Sequence, residues 1–504
     1  MRHLAFHAVV VVALSTAAHA AACEDLAKLS LPNTKISLAE VVPAGDFKMP
    51  NAPPAAPPLR NLPAFCRVAA DITPAPDSDI KMEVWLPVSG WNGKFQGVGN
   101  GGWAGAISYG QLADALQAGY ATASTNTGHD GEGSDASFAL GHPEKVTDFA
   151  WRSVHEMTLK AKSVIAAFYD KQPARSYWNG CSTGGKQGLK EAQKFPDDYD
   201  GIVAGAPANY WTHLMAGDVW IGQATHSDPA AYIPPAKYPM IHRAAIDACD
   251  AADGLKDGLI DDPRACHFDP AVLACKEGQQ DDCLTAPQIE AARKIYAGAK
   301  NPRTGEQVFP GLEPGSEPQW VVFAGSPEPP IVASYFKYLL FKDPAWDFRK
   351  LDLDKDVAAA EKFDNGLIAA TDPNLKPFVA HGGKLLLWHG WEDGLIAPRN
   401  SINYFESVGK VLGAKTGDSV RLFMAPGMFH CNGGDGPNRF DAVAAVDDWV
   451  EHAKAPERIV ASHRTAGQVD RTRPLCPYPQ VATYSGSGSI DDAANFACSA
   501  PRKP

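Results

Sequence analysis

The stretch SYWNGCSTGGKQGLKEAQK, residues 176–194, joins a short strand-like run to a helix-like run through a glycine-rich turn. The turn at 180–184 is G-C-S-T-G, which fits the pattern G-x-S-x-G, where a serine stands on a sharp strand-to-helix turn. Glycines flank such a serine because side chains there would clash. An ordinary Gly-Ser turn is the alternative, but the strand and helix on either side favour the catalytic turn. We therefore expect Ser182 to be a nucleophile.

Strand-like and helix-like runs alternate on both sides of this turn. The strand-like runs cover 81–86, 95–98, 120–124, 201–204, 384–388 and 420–424, and the helix-like runs cover 151–169, 398–412 and 439–452. This alternation predicts an α/β protein with a mostly parallel central sheet covered by helices. A serine on a strand-to-helix turn of such a sheet indicates the α/β-hydrolase fold.

The alternation is lost between residues 208 and 380, where prolines, aspartates, tryptophans and four cysteines concentrate. We interpret this segment as a large inserted lid domain. It would divide the catalytic domain into a first part at 21–207 and a second part, with a disulfide-bearing tail, at 381–504. Residues 31–64 are rich in Pro and Ala, and we expect them to form an extended surface arm and not a core element.

The first 20 residues have a basic start, a short apolar run and the small-residue exit Ala18-His19-Ala20. This order is typical of a signal peptide cleaved near Ala20 and predicts a secreted or periplasmic protein; a buried N-terminal helix is the alternative. No later stretch reaches the about 18 apolar residues of a membrane span, so no membrane partner is expected. The net charge of −12 argues against a nucleic-acid partner, because phosphate binding uses clustered Lys and Arg.

A serine nucleophile needs a histidine base and a carboxylate that orients the histidine. In α/β-hydrolases the three residues follow in the order Ser, acid, His, each in a loop after a strand. The run KLLLWHGWED ends at Asp393, and the run RLFMAPGMFHC carries His430. Glu392 is the rival acid, but the shorter Asp393 follows the H-G-x-x-D pattern. A helix cap for Asp393 and a structural role for His430 are the alternatives.

An exported chain with ten cysteines predicts disulfides. Neighbours in the sequence suggest four local bridges: Cys23 with Cys66, Cys249 with Cys266, Cys275 with Cys283, and Cys476 with Cys498. Cys181 and Cys431 lie far apart in the chain but directly adjoin Ser182 and His430. A bridge between them would hold their Cα atoms about 4.4–6.8 Å apart and bring the serine to the histidine. The alternative is that Cys181 and Cys431 each pair with another cysteine.

The intermediate of acyl transfer carries an oxyanion, which needs preorganised N–H donors. Thr183 is the expected first donor because it follows the nucleophile. The glycine-rich loop at 99–105 is expected to supply the second donor, from Gly101 or Gly102. A plain flexible loop is the alternative, and the loop lacks the lysine and the spacing of a phosphate-binding loop.

The run CDAADGLKDGLIDD at 249–262 places Asp250, Asp253 and Asp257 in a turn-forming segment. Calcium ions take about six to eight oxygen ligands, including backbone carbonyls. The carbonyls of Leu255 and Leu259 would add to the three carboxylates. On the residues alone, a solvated Asp-Gly turn is an equal alternative.

Together these motifs resemble the tannase and feruloyl esterase family, which also includes the hydrolase of the mono-ester released from polyethylene terephthalate. The resemblance spans nearly the whole chain after residue 20 and rests on G-C-S-T-G-G at 180–185, H-G-W-E-D at 389–393, H-C at 430–431, C-D-x-x-D-G-x-x-D-G at 249–258 and the tail at 474–498. It implies a Cys181–Cys431 disulfide and no organic cofactor. It also implies a structural Ca²⁺ in the lid, with Asp250, Asp253, Leu255, Asp257 and Leu259 as ligands.

The resemblance further implies hydrolysis of small aromatic esters, namely hydroxycinnamates such as ferulate and hydroxybenzoates such as gallate, including those from plant cell walls. A feruloyl esterase is the leading expectation, with a tannase or a terephthalate mono-ester hydrolase as alternatives. A non-catalytic phenolic- or carbohydrate-binding protein on an esterase scaffold is the alternative from another class, which the intact triad disfavours. Seven aromatic and apolar residues are candidates for lining the substrate pocket: Trp211, Trp220, Trp320, Phe323, Tyr335, Phe336 and Ile396.

Overall fold

A nine-stranded sheet forms the centre of the protein in a computed structural model that describes residues 22–50, 52–53, 55–279 and 281–501. The predicted signal peptide at 1–20 lies outside these residues. The described residues contain these nine strands and six others that form three two-stranded sheets. In chain order the strands are β1 (Thr34–Val42), β2 (Gly45–Phe47), β3 (Leu59–Leu62), β4 (Phe65–Ile72), β5 (Ile80–Pro87), β6 (Lys94–Val98), β7 (Ala121–Thr125), β8 (Arg175–Cys181), β9 (Gly201–Gly205), β10 (Lys384–Gly390), β11 (Val420–Ala425), β12 (Ile459–Thr465), β13 (Gln468–Leu475), β14 (Val481–Tyr484) and β15 (Phe496–Ser499).

Helices connect and cover these strands. The α-helices are α1 (Tyr109–Gln117), α2 (Pro143–Thr147), α3 (Ser153–Tyr169), α4 (Thr183–Lys194), α5 (Trp211–His226), α6 (Tyr238–Cys249), α7 (Ala286–Ala297), α8 (Pro330–Ser334), α9 (Lys355–Asp364), α10 (Lys376–Ala380), α11 (Arg399–Leu412), α12 (Thr416–Ser419) and α13 (Ala442–His452). Short 3₁₀ helices cover Cys23–Lys28, Ser137–Ala139, Pro229–Ala231, Pro235–Lys237, Asp250–Asp253, Pro263–Ala265, Pro270–Leu273, Glu317–Val321, Phe348–Lys350, Gly413–Lys415 and Ala493–Asn495, and π-helical turns cover Asp148–Arg152 and Tyr335–Leu340.

The order of strands in the sheet is β1-β4-β5-β7-β6-β8-β9-β10-β11. Neighbours are parallel from β7 to β11 and antiparallel from β1 to β7. Every residue of β7 and β9 is buried, as expected where helices cover both faces of a parallel sheet. The predicted α/β class with a mostly parallel sheet is confirmed.

The edge of the sheet departs from the sequence prediction. Residues 34–42, within the expected surface arm, form β1 and pair antiparallel with β4. The prolines that suggested an arm cluster after Val42, whereas TKISLAEVV itself contains none, so its backbone N–H groups remain available for a ladder. The arm interpretation was therefore wrong for this stretch.

Residues 208–380, which we call the insert, lie in the chain between β9 and β10. Their described part forms helices α5 to α10, turns and isolated β-bridges, and none of the strands β1 to β15 lies in it. Their apolar side chains, such as Ile289 and Phe336, share a core with Trp103 and Phe149 from before β8. A separate core lies against the sheet. No helix of the described ranges is long and apolar enough to cross a membrane.

Candidate active site

Ser182 occupies a sharp turn between β8 and α4. Its backbone has φ 64° and ψ −124°, a conformation that non-glycine residues rarely adopt and that marks functional turns. The turn is held by hydrogen bonds from the Ser182 N–H to the Gly205 carbonyl (2.9 Å) and from the Ala208 N–H to the Ser182 carbonyl (3.1 Å). A Cβ added at Gly180 would lie 2.5 Å from the carbonyl carbon of Gly184, so this position of the motif has room only for glycine.

Asp393 follows β10 and is completely buried. One carboxylate oxygen accepts hydrogen bonds from the N–H groups of Leu395 and Ile396, both at 2.8 Å. The other accepts from His430 Nδ1 at 2.7 Å and from His389 Nε2 at 3.0 Å. Burial by itself would raise the pKa of Asp393, but the two histidines outweigh burial and hold that pKa below its usual value. Asp393 is therefore a carboxylate at neutral pH.

His389 is a part of this arrangement that the sequence analysis missed. Its Nε2 faces two acceptors, the Asp393 carboxylate and the Ile396 carbonyl, each at 3.0 Å, so this nitrogen carries the hydrogen. Its Nδ1 then accepts from the Ser401 hydroxyl at 2.7 Å. Its position as the first residue of H-G-W-E-D, four residues before the acid, was the available signal.

Glu392, the rival acid, takes no part in this arrangement. Its carboxyl is buried and forms no hydrogen bond with His389 or His430. Its side chain instead packs against Gly315, where an added Cβ would lie 2.7 Å from the Glu392 Cγ. The geometry thus pairs His430 with Asp393.

The predicted disulfide between Cys181 and Cys431 is present, with 5.9 Å between the Cα atoms, and the four local bridges also form. Because the two cysteines adjoin Ser182 and His430, the bridge holds the ends of β8 and the loop after β11 together. Both residues line one pocket. No hydrogen bond joins these two described side chains, and such contacts often tighten only when substrate binds.

The oxyanion donors proposed from the sequence also reach this pocket. Gly102 and Thr183 line it, whereas Gly101 does not. The N–H groups of Gly102 and Thr183 donate to no acceptor among the described residues, so both are available to a ligand. Thr183 Oγ1 donates to the Gly102 carbonyl at 2.8 Å and fixes the two segments together.

Gln319 of the insert is a second residue that the sequence analysis missed. Its side-chain oxygen accepts hydrogen bonds from the N–H of Gly394 at 2.9 Å and from the N–H of His430 at 3.0 Å. One amide therefore ties the acid loop and the histidine loop to the Glu317–Val321 helix. No motif surrounds Gln319, so only the tertiary structure could find it.

The rest of the pocket is mostly apolar. Its lining includes three of the seven candidates, Trp211, Phe323 and Ile396, and does not include Trp220, Trp320, Tyr335 or Phe336. Trp320, Tyr335 and Phe336 instead belong to the core of the insert. The space next to Ser182 is therefore bounded mainly by apolar side chains.

The aspartate loop at 249–262 lies in the insert and is closed by the Cys249–Cys266 disulfide. Here the predicted ligand carboxylates do not converge. The Asp250 carboxylate accepts from the N–H groups of Asp257 and Gly258 at 2.9 and 3.0 Å, and Asp257 forms an ion pair with Arg473. The Asp253 carboxylate also accepts from the N–H of Leu255 at 2.8 Å, so backbone N–H groups and an arginine engage all three predicted carboxylates.

Asp253 faces Asp261, a residue that the sequence analysis did not include. Neither oxygen of the buried Asp261 has a donor in the described part of the chain. Burial and the neighbouring carboxylates raise the pKa of both groups. The carbonyls of Leu255 and Leu259 accept no hydrogen bond from described residues either. These free oxygens fit a hard cation.

A tight group of potential ligands lies elsewhere, where His155, Glu191 and Asp198 bring their ligand atoms within 4.8 Å of one another. His155 Nδ1 contacts Asp198 at 2.7 Å. Burial, and next the charge of Asp198, raise the pKa of Glu191. Neither carboxyl oxygen of Glu191 has a hydrogen-bond partner in the described part of the chain.

Comparisons with known proteins agree with this geometry. A family profile described as "Tannase and feruloyl esterase" matches residues 66–499. An uncharacterised esterase of Xanthomonas campestris pv. campestris is 41% identical, with 96% of this chain and 92% of the relative covered. A probable feruloyl esterase B of Aspergillus clavatus is 34% identical over 94% of each chain.

Solved structures show the same fold. The crystal structure of feruloyl esterase B from Aspergillus oryzae superimposes with a TM-score of 0.90 and 31% identity, covering 95% of this chain and 99% of the other. A tannin acyl hydrolase from Aspergillus niger has a TM-score of 0.78 at 23% identity, covering 93% and 92%. The chain therefore belongs to the tannase and feruloyl esterase family and is a carboxylic ester hydrolase.

Proposed function

We propose that the protein is an exported serine esterase that hydrolyses esters of hydroxycinnamic or hydroxybenzoic acids, and foremost a feruloyl esterase. The observation that carries the proposal is one apolar pocket that holds Ser182, Gly102 and His430, with His430 hydrogen-bonded to the buried Asp393. The similarity to feruloyl esterase B along nearly the whole chain supports the substrate class. Tannase and terephthalate mono-ester hydrolase remain as alternatives within the family.

The proposed reaction has two steps. Ser182 Oγ attacks the ester carbonyl carbon and passes its proton to His430 Nε2, while the N–H groups of Gly102 and Thr183 stabilise the oxyanion. The alcohol leaves with that proton, and an acyl-enzyme remains on Ser182. Water then attacks the acyl carbonyl, His430 takes the proton from water and returns it to Ser182, and the acid is released. Asp393 stays ionised and holds the His430 ring with Nδ1–H towards itself.

Substitution of the nucleophile tests this function. We expect Ser182→Ala to lower kcat on methyl ferulate by about 10⁶-fold while the melting temperature is unchanged. The matched wild type should react with a fluorophosphonate probe at Ser182. A variant that retains turnover would rule out the mechanism, and a wild type that neither turns over esters nor reacts with the probe would indicate a binding protein. Methyl ferulate, methyl gallate and a terephthalate mono-ester would rank the three specificities.

We also propose a structural Ca²⁺ in the insert, held by the aspartate loop. One oxygen of Asp253 and the carbonyls of Leu255 and Leu259 accept no hydrogen bond from described residues, Asp250 and Asp257 adjoin them, and Asp261 adds a carboxyl to the set that the sequence predicts. The ion would neutralise these carboxylates and stiffen the loop, and it would take no part in the reaction. The donor set is all oxygen, which Ca²⁺ prefers.

Chelation tests the ion. With EDTA, we expect the free energy of unfolding of the wild type to fall by about 3 kcal/mol, the effect of a ligand at several hundred times its Kd. Asp261→Asn should be less stable than the wild type with Ca²⁺ and should respond less to EDTA. Equal melting curves with and without EDTA, together with no calcium in elemental analysis, would contradict the site.

Export is the remaining part of the proposal. The five disulfides favour an oxidising compartment, and the signal-like order of residues 1–20 supplies the route. Protein recovered from outside the cytoplasm should begin at Ala21, which N-terminal sequencing would establish. Recovery of the chain with an intact N-terminus in the cytoplasm would contradict export.

A further inference from the structure

Helix α5 supplies one wall of the pocket next to Ser182. Trp211, Leu214, Met215 and Asp218 all line the pocket. Their spacing of i, i+3, i+4 and i+7 places them along one face of the helix. The segment that leads into α5 is fixed to the nucleophile turn, because the Ala208 N–H donates to the Ser182 carbonyl. Asp218 therefore lies about 10 Å further along the helix axis than Trp211, away from this attachment.

Asp218 is a buried carboxyl without a protein partner. It is 3% exposed, and its oxygens accept no hydrogen bond from the described residues. Asp364 is equally buried at 3%, but its carboxylate accepts from the N–H of Ile368 at 2.8 Å and of Ala369 at 3.2 Å. Asp364 shows how neighbouring N–H groups can satisfy such a carboxyl, and Asp218 has no such donors. An unpaired buried carboxyl costs stability, and because Asp218 also lines the pocket, it is placed to contact a ligand there.

The protonation state of Asp218 fits a neutral ligand. Burial, and next the negative charge of Asp393, raise the pKa of Asp218 well above its ordinary value. Burial therefore favours the neutral acid, which has one O–H donor and one carbonyl acceptor. A neutral carboxyl favours a hydroxyl, which can accept and donate, over an anionic group.

The surroundings define the shape of that ligand. Most of the other side chains that line the pocket are apolar, among them Leu214, Met215 and Phe323. A substrate that contacts both Ser182 and Asp218 needs an ester carbonyl, an apolar body and a polar group apart from the ester. The acyl part of a hydroxylated aromatic ester has this form.

We propose that Asp218 is a specificity-determining residue that hydrogen-bonds a hydroxyl on the aromatic ring of the acyl group. The inference rests on the proposed esterase function and adds which feature of the substrate the pocket selects. A hydroxycinnamate carries its ring two carbons further from the carbonyl than a hydroxybenzoate does. The para hydroxyl of a hydroxycinnamate stands at the end of the acyl group opposite to the ester, and it is the hydroxyl that we expect Asp218 to bind.

Methyl esters test the proposal, since their alcohol part has no hydroxyl. The readout is the ratio of kcat/KM for methyl p-coumarate to that for methyl cinnamate, with methyl 4-methoxycinnamate as the ester whose hydroxyl is blocked. We expect a ratio between about 10 and 100 for the wild type, because a buried polar group left unpaired penalises the analogue. The 4-methoxy ester should be turned over no faster than the cinnamate.

Two variants separate recognition from structure. Asp218→Leu should bring the ratio close to one, mainly through loss on p-coumarate, and should not lower the melting temperature, because no protein hydrogen bond is lost. Asp218→Asn keeps a donor and an acceptor and should keep most of the preference. A folded Leu variant that loses the same factor on both esters would overturn the proposal.

Measurements on the wild type alone can also overturn the proposal. A ratio near one in the wild type overturns the role of Asp218 whether or not the variants fold, even if all the esters are hydrolysed. A preference that appears only with hydroxylated alcohol groups overturns it as well. If no aromatic ester is hydrolysed at all, the proposed function fails and this inference falls with it.

Discussion

Asp393 in the loop after β10 and two buried carboxyls of the insert have opposite surroundings. Asp393 accepts hydrogen bonds from two backbone N–H groups and two histidines. Asp218 and Asp261 of the insert accept none from the part of the chain that the structure describes. All three side chains are nearly or completely buried. The contrast therefore lies in the partners and not in the degree of burial.

The difference shows which of these carboxyls the protein itself supplies with hydrogen-bond donors. Donors that surround Asp393 keep it ionised and fix the histidine before any substrate arrives, which is the preorganisation that catalysis needs. Carboxyls without donors must take a proton, a cation or a ligand hydroxyl. Under the proposed function, Asp393 serves the reaction, whereas Asp261 and Asp218 of the insert would take a metal ion and a substrate hydroxyl.

The largest expected effect on kcat comes from replacing the two neighbouring acids, Asp393 and Glu392, one at a time. Asp393→Asn should lower kcat by about 10⁴-fold, because an amide no longer selects the His430 tautomer with Nε2 free. Glu392→Gln is the matched control and should change kcat by less than about threefold, since Glu392 contacts neither histidine. Steady-state kinetics on methyl ferulate measures both. Comparable losses in the two variants would mean that the acids do not differ as described.

The disulfide beside the triad is the next largest contribution. It closes a separation of 250 residues, so replacing Cys181 and Cys431 by serine should lower the free energy of unfolding by about 5 kcal/mol on a chain-entropy account. Activity should fall by about a hundredfold in the folded variant, because the serine and histidine loops lose their common restraint.

The Cys275–Cys283 bridge is the control for this pair, because it closes only 8 residues and lies outside the pocket lining. Its removal should cost about 2–3 kcal/mol and leave kcat unchanged. Urea unfolding and kinetics together provide both readouts. Full activity of the variant that lacks the Cys181–Cys431 bridge would show that the bridge does not position the triad.

An ion pair between the insert and the histidine loop gives a pH-dependent effect. Burial lowers the pKa of His242, but hydrogen bonds with Asp435 and Glu317 outweigh burial and raise it to about 10. The raised pKa means that the charged form stabilises the folded state. This contribution is complete below the unfolded value of about 6.5 and is lost as the pH rises through about 10.

His242→Gln should therefore be less stable than the wild type by about 3 kcal/mol at pH 6, with a gap that narrows steadily by pH 9. Urea unfolding over this pH range measures the gap. His452→Gln, which removes the exposed pair with Asp448, should leave the free energy of unfolding nearly unchanged. A gap that stays constant with pH would contradict the role of the His242 charge.

The smallest effect concerns Gln319, the positioning residue from the insert. Gln319→Leu removes the acceptor shared by the N–H groups of Gly394 and His430 and should lower kcat by about tenfold, with little change in KM. Gln319→Glu keeps an acceptor oxygen and should restore most of kcat. Loss of melting temperature without loss of kcat in the Leu variant would assign Gln319 a merely structural role.

Much of the catalytic side was predictable because its signals are local. The glycines around Ser182 indicate a close backbone approach, the strand-like runs indicate the sheet, and each proposed catalytic residue follows such a run. The family resemblance, the α/β class and the disulfide pairing inferred from these residues are confirmed. The predicted surface arm failed at β1 because composition averages over a stretch that holds both an edge strand and prolines.

The sequence by itself therefore determined the family and the cysteines that pair, and it predicted the order of the proposed catalytic groups, since these depend on short motifs and on residues that adjoin one another in the chain. Only the tertiary structure decided that Gln319 bridges two loops, that Asp261 faces Asp253 and that Asp218 stands unpaired in the pocket. The physical reason is that the donors around a buried polar group decide whether it is satisfied by the protein or available to a ligand. Those donors come from segments that are distant in the chain and meet only in the folded protein.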